Sequence, residues 1–344
     1  MNRKNIDVKL DNCTFIKTIL MILVVVYHSV LFWSGNWFSE LPVFASNVLP
    51  VLAKWLNTIH IYGFTLVSGY IFYHIKMERG GYDKFLPFIK KKAARLLIPY
   101  AFVAMIWVIP IAVYYFKYDF NDIFFKFILA TSPSQLWFLV MLFNVFVISY
   151  LMSKIWEKHS GIGFIIVVGF YGLGIVASQI LPNVFMIWTS CQYVLFFWIG
   201  FCLRKYKEGI VWKIPISIYL IADVILFVFV QYVSKKEQLL FKLLNMAGNT
   251  LLSIIGAIMI FLLLQKLADS INWKNKYFAF ISDKSMVVYL FHQQMIYFTI
   301  SLLNGLINPW LHAGINFVFS FGLSLIFAMI LKKFKVTRIL IGEK

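Results

Sequence analysis

Two ionisable side chains lie in the apolar stretch TFIKTILMILVVVYHSVLFW, residues 14–33. They are Lys17 and His28, and at about 100° per residue their spacing corresponds to three helical turns. Both side chains therefore fall on nearly the same helix face, roughly 16 Å apart along the axis. Ionisable groups within a bilayer are costly and usually face a protein interior or a water-filled cavity. His28 is therefore either a structural group that bonds a neighbouring helix or part of a face that lines a reaction cavity.

Three further ionisable groups lie inside apolar stretches. His60 is in HIYGFTLVSGY, His292 is in SMVVYLFHQQMIYF, and Asp223 is the only carboxylate well inside a predicted span. Histidine can accept and return a proton near pH 7, so it suits general-base chemistry on a hydroxyl. Asp223 is open to two interpretations, a hydrogen-bonding group between helices or a proton carrier.

Other catalytic chemistry has little support in the sequence. Ser68 and Cys191 are nucleophiles by chemical type only, because there is no GxSxG elbow. The buried histidines lie in separate stretches without a local spacing such as HExxH, and we expect no metal ion. The three cysteines have no paired spacing, and we expect no disulfide.

The elements that carry these residues are predicted to be membrane helices. The chain has 344 residues, is 61% hydrophobic and only 13% charged, and has a mean hydropathy of +0.82. Windows of about 19 residues predict ten spans, at 14–33, 51–74, 96–116, 136–153, 161–181, 185–203, 214–233, 248–265, 285–304 and 313–331. The fold class is therefore an all-α, polytopic bundle of about ten transmembrane helices. We expect one integral-membrane domain over residues 1–344, without a separate soluble domain.

The distribution of basic residues predicts the orientation. With alternate connections assigned to opposite sides, 26 of the 32 Lys and Arg fall on the side that holds both termini. The positive-inside rule makes that side cytoplasmic. The net charge of +18 is spread over short clusters between apolar runs, which indicates anionic membrane lipids as partners and excludes a nucleic-acid-binding face.

One of these clusters is denser than the others. The segment KFLPFIKKKAARLLIPY, residues 84–100, contains Lys91, Lys92 and Arg95 before the third span, and Pro99 suits the opening turn of a helix. The cluster is either a topology anchor on anionic lipid or a docking site for a polyanionic cytosolic ligand, since Lys and Arg at a helix start suit phosphates.

Five short motifs, in the expected order, resemble the membrane-bound acyltransferase-3 family. Lys17, ten residues and His28 resemble the family's Arg, ten residues and His. HIYGFTLVSGY is similar to the family's His with Phe four residues on and Ser-Gly eight and nine on. The other three matches are KKAARLLIPY with Arg95, Pro99 and Tyr100; QLWFL at 135–139; and SMVVYLFHQQMI with Ser285, Tyr289 and His292.

The chain departs from the family pattern at three positions. Lys17 replaces the Arg, which keeps the charge but loses the planar bidentate fork. Thr14 stands where an acidic residue is often found, and Gln135 stands where a histidine often precedes the Leu-Trp-Phe block.

The resemblance implies an O-acyltransferase of bacterial surface glycans in the plasma membrane. It would transfer an acyl group, with acetyl as the primary expectation, to a hydroxyl of a surface glycan or its lipid-linked precursor. The donor would be cytosolic acetyl-CoA or another acyl-CoA. His28 would be the general base or an acyl relay, Lys17 would hold the donor's charge or the lower part of the cavity, and His60 and His292 would orient the substrate or the proton path.

The remaining positions complete this predicted site. Lys91, Lys92 and Arg95 would hold the CoA phosphates, and Trp137 would stack a sugar ring at the outer mouth. The predicted cavity also includes Ser68, Tyr289 and Asp223. Two other classes remain as alternatives: a proton-coupled transporter or glycan exporter that uses His28, His292 and Asp223 as relay groups, and a polymerase of lipid-linked glycan.

Overall fold

The computed structural model describes residues 3–35 and 37–343, without the side chains of 3–9 and 11. These ranges contain no β-strand, so the predicted all-α fold class is confirmed. The α-helices are α1 (Arg3–Leu31), α2 (Leu49–Asn57), α3 (His60–Tyr73), α4 (Phe85–Val103), α5 (Ile109–Phe116), α6 (Phe120–Ile123), α7 (Trp137–Lys158), α8 (Ser160–Ile180), α9 (Ile187–Lys205), α10 (Ile210–Lys213), α11 (Ile216–Val233), α12 (Leu239–Ser270), α13 (Lys276–Leu303), α14 (Pro309–Leu331) and α15 (Lys335–Leu340).

Within the described ranges, nine helical segments are long and apolar enough to cross a membrane, as expected of a multi-pass membrane protein. One of them runs from Phe85 to Phe116 and contains α4, the π-helical turn Ala104–Val108 and α5. Because α4 begins at Phe85, Pro99 lies inside the helix, and its predicted place in an opening turn is wrong. Proline removes a helical N–H and crowds the preceding turn, and the π-helical turn follows it.

The predicted second span, 51–74, is not one continuous helix. It consists of α2 and α3, which are separated by Thr58 and Ile59. The Thr58 hydroxyl donates to the Trp55 carbonyl at 2.7 Å, and Nδ1 of His60 lies 2.5 Å from the Leu56 carbonyl oxygen. These side chains therefore hydrogen-bond carbonyl groups at the C-terminal end of α2, which lack intrahelical N–H donors.

The chain forms two compact units, each assembled from separate stretches. The first comprises Met1–Val24, Val51–Arg79 and Phe196–Ser282, and the second comprises Val25–Pro50, Gly80–Leu195 and Asp283–Lys344. Each unit is therefore built from helices that are distant in sequence.

In the first unit, glycines allow α3 to approach the later part of α9. A Cβ atom added at Gly69 would lie 1.9 Å from the Phe197 carbonyl oxygen, and one added at Gly200 would lie 1.8 Å from the Leu66 carbonyl oxygen. Small residues permit such close backbone packing between membrane helices. No other amino acid fits at Gly69 or Gly200 without moving a helix.

In the second unit, the later part of α13 is the most deeply buried helix segment. Nearly every residue from Val287 to Ile300 is buried, including the polar side chains of His292, Gln293 and Gln294. A helix that is buried on all sides belongs to a core. Buried polar groups need hydrogen-bond partners, and the partners of this segment define the candidate site.

Candidate active site

His28 and His292 contact each other in the second unit. Nε2 of His292 lies 3.2 Å from Nδ1 of His28, and the ring centroids are 4.9 Å apart at an interplanar angle of 67°. His292 is fully buried, whereas His28 is half-buried. The structure therefore brings together two of the histidines that the sequence singled out.

The backbone fixes the other ring nitrogen of His292. Its Nδ1 lies 3.0 Å from the Val288 carbonyl oxygen and 2.9 Å from the Tyr289 carbonyl oxygen. Because carbonyl oxygens only accept, Nδ1 carries the hydrogen, and Nε2 of a neutral His292 accepts from Nδ1–H of His28. Nε2 of a neutral His28 is then the unprotonated nitrogen, which is the form that a general base requires.

Asn316 on α14 bonds both helices that carry this histidine pair. Its Oδ1 accepts a hydrogen bond from the Thr299 hydroxyl at 2.6 Å, and its Nδ2 donates to the Ser29 carbonyl at 3.1 Å. Ser29 follows His28 in the last turn of α1, where carbonyls lose their intrahelical donors. Thr299 lies two turns beyond His292 on α13. The fully buried Asn316 therefore links the two helices close to their histidines.

A second polar link holds the turn before α7 against α13. Gln135 and Gln294 form a reciprocal amide pair, with N···O distances of 2.6 and 2.9 Å. Gln135 also donates to the Leu290 carbonyl at 2.9 Å, and the Tyr289 hydroxyl donates to the Gln135 carbonyl. Gln135, the departure from the family's histidine, thus bonds the helix turn that precedes His292. Tyr289, a predicted cavity residue, is buried in this link.

Two tryptophans of the second unit have different neighbours. Trp137, predicted at the outer mouth, is half-buried and packs on Tyr193 at a centroid distance of 5.6 Å. Trp37, which the sequence did not single out, lies with its ring 5.9 Å from that of His28 and 5.1 Å from that of Tyr297. Trp37 therefore borders the histidine pair.

The three cations that the sequence assigned to a polyanion are grouped around Tyr82. Nζ of Lys91 and Nζ of Lys92 lie 5.9 and 5.4 Å from the centre of its ring. Burial raises the pKa of the Tyr82 phenol, and the charge of Arg95 lowers it in part. Lys91 and Arg95 are exposed, whereas Lys92 also lies 3.4 Å from the centre of the Phe146 ring.

The remaining predicted residues lie in the first unit. Lys17 is half-buried on α1, and His60 is buried at the start of α3. The Ser68 hydroxyl donates to the carbonyl of Phe64 in its own helix, at 2.9 Å. Asp223 is buried; its Oδ2 accepts from the indole N–H of Trp55 at 2.8 Å, and its Oδ1 has no hydrogen-bond partner within the described residues. No group of three or more His, Cys, Asp or Glu placed to hold a metal occurs among the side chains described.

The first unit also contains an ion-pair cluster that sequence analysis missed. Arg204 is fully buried, and its guanidinium forms a bidentate pair with Glu78, with N···O distances of 3.0 and 2.7 Å. Arg204 also donates to the Tyr70 hydroxyl at 3.1 Å, and Lys207 lies 3.2 Å from Glu78. In the sequence, Arg204 and Lys207 contribute only to the count of basic residues that predicts the orientation. The spacing of His74 and Glu78, one helical turn apart, was the available sign of this cluster.

The cluster changes the proton affinity of Glu78. Burial by itself raises the pKa of this carboxyl, but hydrogen bonds from Arg204 and His74 outweigh burial and lower the pKa from 4.5 to about 2. His74 Nδ1 lies 2.6 Å from the Glu78 carboxylate. Glu78 is therefore charged at neutral pH and compensates the buried Arg204.

Comparison with known proteins gives one result. A family model described as an acyltransferase domain matches residues 10–331, nearly the whole chain and every predicted site residue. No curated protein and no solved structure matches the chain. The chain therefore belongs to the acyltransferase-3 family, whose members transfer acyl groups within membranes.

Proposed function

We propose that this protein transfers an acetyl group from cytosolic acetyl-CoA to a hydroxyl of a bacterial surface glycan or its lipid-linked precursor. Membership of the family establishes acyl transfer in general. The acetyl-CoA donor, the glycan acceptor and the plasma-membrane location are proposed. The observation that carries it is the contact between His28 and His292, which leaves the lone pair on Nε2 of His28. Acyl transfer to an alcohol needs a base at the hydroxyl, and a neutral imidazole suits that task.

In this mechanism Nε2 of His28 accepts the proton of the acceptor hydroxyl as its oxygen attacks the thioester carbonyl. A C–O bond forms, the C–S bond breaks, and the proton passes from His28 to the departing thiolate, so that CoA leaves as the thiol. His292 acts through His28: its Nε2 accepts Nδ1–H and keeps the ring in one tautomer and orientation.

The donor would bind on the cytoplasmic side, where the positive-inside rule puts both termini. Lys91, Lys92 and Arg95 carry the positive charge that suits the CoA phosphates, and Lys17 would neutralise charge on the donor or in the lower part of the cavity. Other basic clusters would contact anionic lipid headgroups.

The acceptor would approach from the opposite side of the membrane. An aromatic side chain suits the apolar face of a sugar ring, which supports Trp137 and adds Trp37 beside His28. His60 would orient the substrate or the proton path. Ser68, Tyr289 and Asp223 remain proposed cavity residues.

The test follows ester formation in membranes that express the chain and receive acetyl-labelled acetyl-CoA. We expect label in glycan ester with the wild type and a loss of at least about 100-fold with His28→Ala. His159→Ala is a matched control because His159 is an exposed histidine between α7 and α8. Near wild-type transfer by well-expressed His28→Ala would exclude the role of His28, and the absence of label with the wild type would exclude acetyl transfer.

A further inference from the structure

Tyr82 has a backbone conformation that large side chains rarely adopt. It lies in the sequence GGYDK, residues 80–84, with a φ of 61°, in the left-handed region. Gly80 has a φ of 65°, which glycine adopts readily, but tyrosine does so only under strain. Strained residues cluster at active sites and ligand clamps and persist only where the surrounding structure holds them in place.

Packing holds the ring of Tyr82, and a hydrogen bond holds the chain that follows it. The Tyr82 ring contacts that of Phe88 edge to face at 4.7 Å, and Phe88 is buried. The Tyr150 hydroxyl donates to the carbonyl of Asp83 at 2.9 Å. The surroundings thus keep Tyr82 in one conformation, with the side chain half-buried.

The groups around the ring are chemically specific. Lys91 and Lys92 lie within 5.9 and 5.4 Å of its centre, and the charge of Arg95 partly offsets the rise in the pKa of its phenol that burial causes. A Cβ atom added at Gly80 would meet nothing within 4 Å, so the backbone two residues before the ring is open to approach. An aromatic face beside several cations matches a phosphorylated nucleotide, whose base stacks while its phosphates meet the cations.

We propose that Tyr82 is the stacking surface for the adenine ring of the acyl-CoA donor, with its phosphates held by Lys91, Lys92 and Arg95. This inference rests on the proposed function and deepens it, because it divides recognition of the donor into two parts. The nucleotide binds at Tyr82, and the pantetheine arm that carries the thioester does not contact it.

The experiment compares two acetyl donors, acetyl-CoA and S-acetylpantetheine, which lacks the nucleotide. Tyr82→Gly removes the ring and suits the left-handed backbone, so we expect its KM for acetyl-CoA to rise roughly tenfold. Its KM for S-acetylpantetheine stays at the wild-type value, because that donor lacks the nucleotide, and a cooperative thermal unfolding transition shows that the variant is folded. Tyr82→Asn, which also tolerates this backbone, gives the same pattern, and Tyr82→Phe resembles the wild type.

Tyr206→Ala is the matched control, because Tyr206 is an exposed tyrosine with Lys205 Nζ 5.2 Å from its ring. It leaves both KM values unchanged. Equal effects of Tyr82→Gly on the two donors, or no effect on either, would overturn the inference.

A binding measurement separates failure of this inference from failure of the proposed function. Adenosine 3′,5′-bisphosphate is titrated into purified wild-type protein and into Tyr82→Gly, and we expect roughly tenfold weaker binding by the variant. If the nucleotide binds in this pattern but the wild type forms no ester, the nucleotide site stands and the proposed reaction fails. If the wild type forms ester and both proteins bind the nucleotide equally, only the role of Tyr82 fails.

Discussion

Nε2 of His292 lies 3.2 Å from Nδ1 of His28, although the two residues are 264 positions apart in the chain. The hydrogen-bonded chain ends at the carbonyls of Val288 and Tyr289. In a Ser-His-Asp triad, Nδ1–H of the catalytic histidine donates to a carboxylate, which stabilises the imidazolium by its charge. In this protein Nε2 of His292 takes the place of that carboxylate. Here neutral carbonyl dipoles set the tautomer, so the pair orients His28 more than it stabilises a positive charge on it.

The first prediction concerns His292. His292→Phe removes the acceptor of Nδ1–H while it retains an aromatic ring, and we expect turnover to fall about 10- to 100-fold, less than with His28→Ala. Initial rates with saturating acetyl-CoA measure the effect. His159→Phe is the control, because His159 is an exposed histidine between α7 and α8. Equal losses for His28→Ala and His292→Phe would mean that His292 itself meets the substrate.

Asn316 gives a second prediction, because it bonds Ser29 and Thr299 at the same time. Asn316→Leu should lower turnover about tenfold or more, since a displacement of the order of 1 Å at a catalytic group costs up to about 100-fold. Thr299→Val should act in the same direction, whereas Thr299→Ser, which keeps the hydroxyl, should retain activity. Ser320→Ala is the control, since Ser320 is buried on the same helix and donates to the carbonyl of Phe317.

A chemical label tests this effect without turnover. Diethyl pyrocarbonate reacts with neutral imidazole, and mass spectrometry gives the labelling rate of His28 relative to the exposed His159. We expect Asn316→Leu and Thr299→Val to change this ratio, and Thr299→Ser and Ser320→Ala to leave it unchanged. A constant ratio in all four variants would limit Asn316 to general helix packing.

The third prediction concerns packing of α3 against α9 in the first unit. Gly69→Ala places a methyl group where the Phe197 carbonyl now lies, and should destabilise the protein by about 3 kcal/mol or more. Thermal unfolding in detergent measures the loss. Gly169→Ala on α8 is the control, because a Cβ atom there meets nothing within 4 Å. Similar unfolding temperatures for the two variants would contradict the close approach at Gly69.

Glu78 gives a pH prediction. Because folding lowers its pKa from 4.5 to about 2, the carboxylate stabilises the fold above pH 4.5, and this contribution is lost as the pH falls towards 2. Glu78→Gln leaves the buried Arg204 uncompensated and should cost about 3 kcal/mol at pH 7.

The measurement for Glu78 is the unfolding temperature of the wild type and of Glu78→Gln between pH 7 and pH 3. The difference between them should be constant above about pH 5 and should shrink below it. Asp122→Asn is the control, since the hydrogen bond from Lys126 also lowers the pKa of Asp122, but this ion pair is partly exposed. A difference that grows as the pH falls would contradict the prediction.

A further prediction separates the two interpretations of Asp223, a hydrogen-bonding group between helices and a proton carrier. Asp223→Asn keeps an oxygen that can accept from Trp55 but cannot carry a proton in the same way, whereas Asp223→Leu loses both properties. If the carboxyl only fixes the break between α2 and α3, Asp223→Asn retains ester formation and Asp223→Leu loses stability. Ester formation and thermal unfolding, measured on the same samples, check this. A large loss of activity in a stable Asp223→Asn would indicate a proton-carrying role.

Hydropathy was sufficient to predict most of the helices, because burial in lipid requires long apolar segments. It did not predict the break at Thr58 and Ile59. Asn57 and Thr58 are polar, but hydropathy averaged over about 19 residues does not resolve them. The contacts that accompany the break are tertiary, such as the bond from Trp55 to Asp223. The position of Pro99 also could not be predicted from local sequence rules, since a membrane helix can accommodate proline well inside its length.

The candidate site was predicted in its residue types but not in its contacts. His28 and His292 were found because titratable groups in apolar spans are rare. Their contact could not be derived, since periodicity along one helix carries no information about a partner 264 residues away. Asn316 and Thr299 were missed because uncharged polar residues are common in membrane helices. Arg204 was missed because its charge was attributed to topology.

The division of the chain into Met1–Val24, Val51–Arg79 and Phe196–Ser282, against the rest, has a consequence for biogenesis. Translation proceeds from the N-terminus, so the first unit has all its residues once Ser282 has been made. The second unit still lacks Asp283 onward, including His292, Thr299 and Asn316. The nascent protein therefore has His28 without the residues that orient it, and the proposed base is completed only when α13 and α14 have been synthesised.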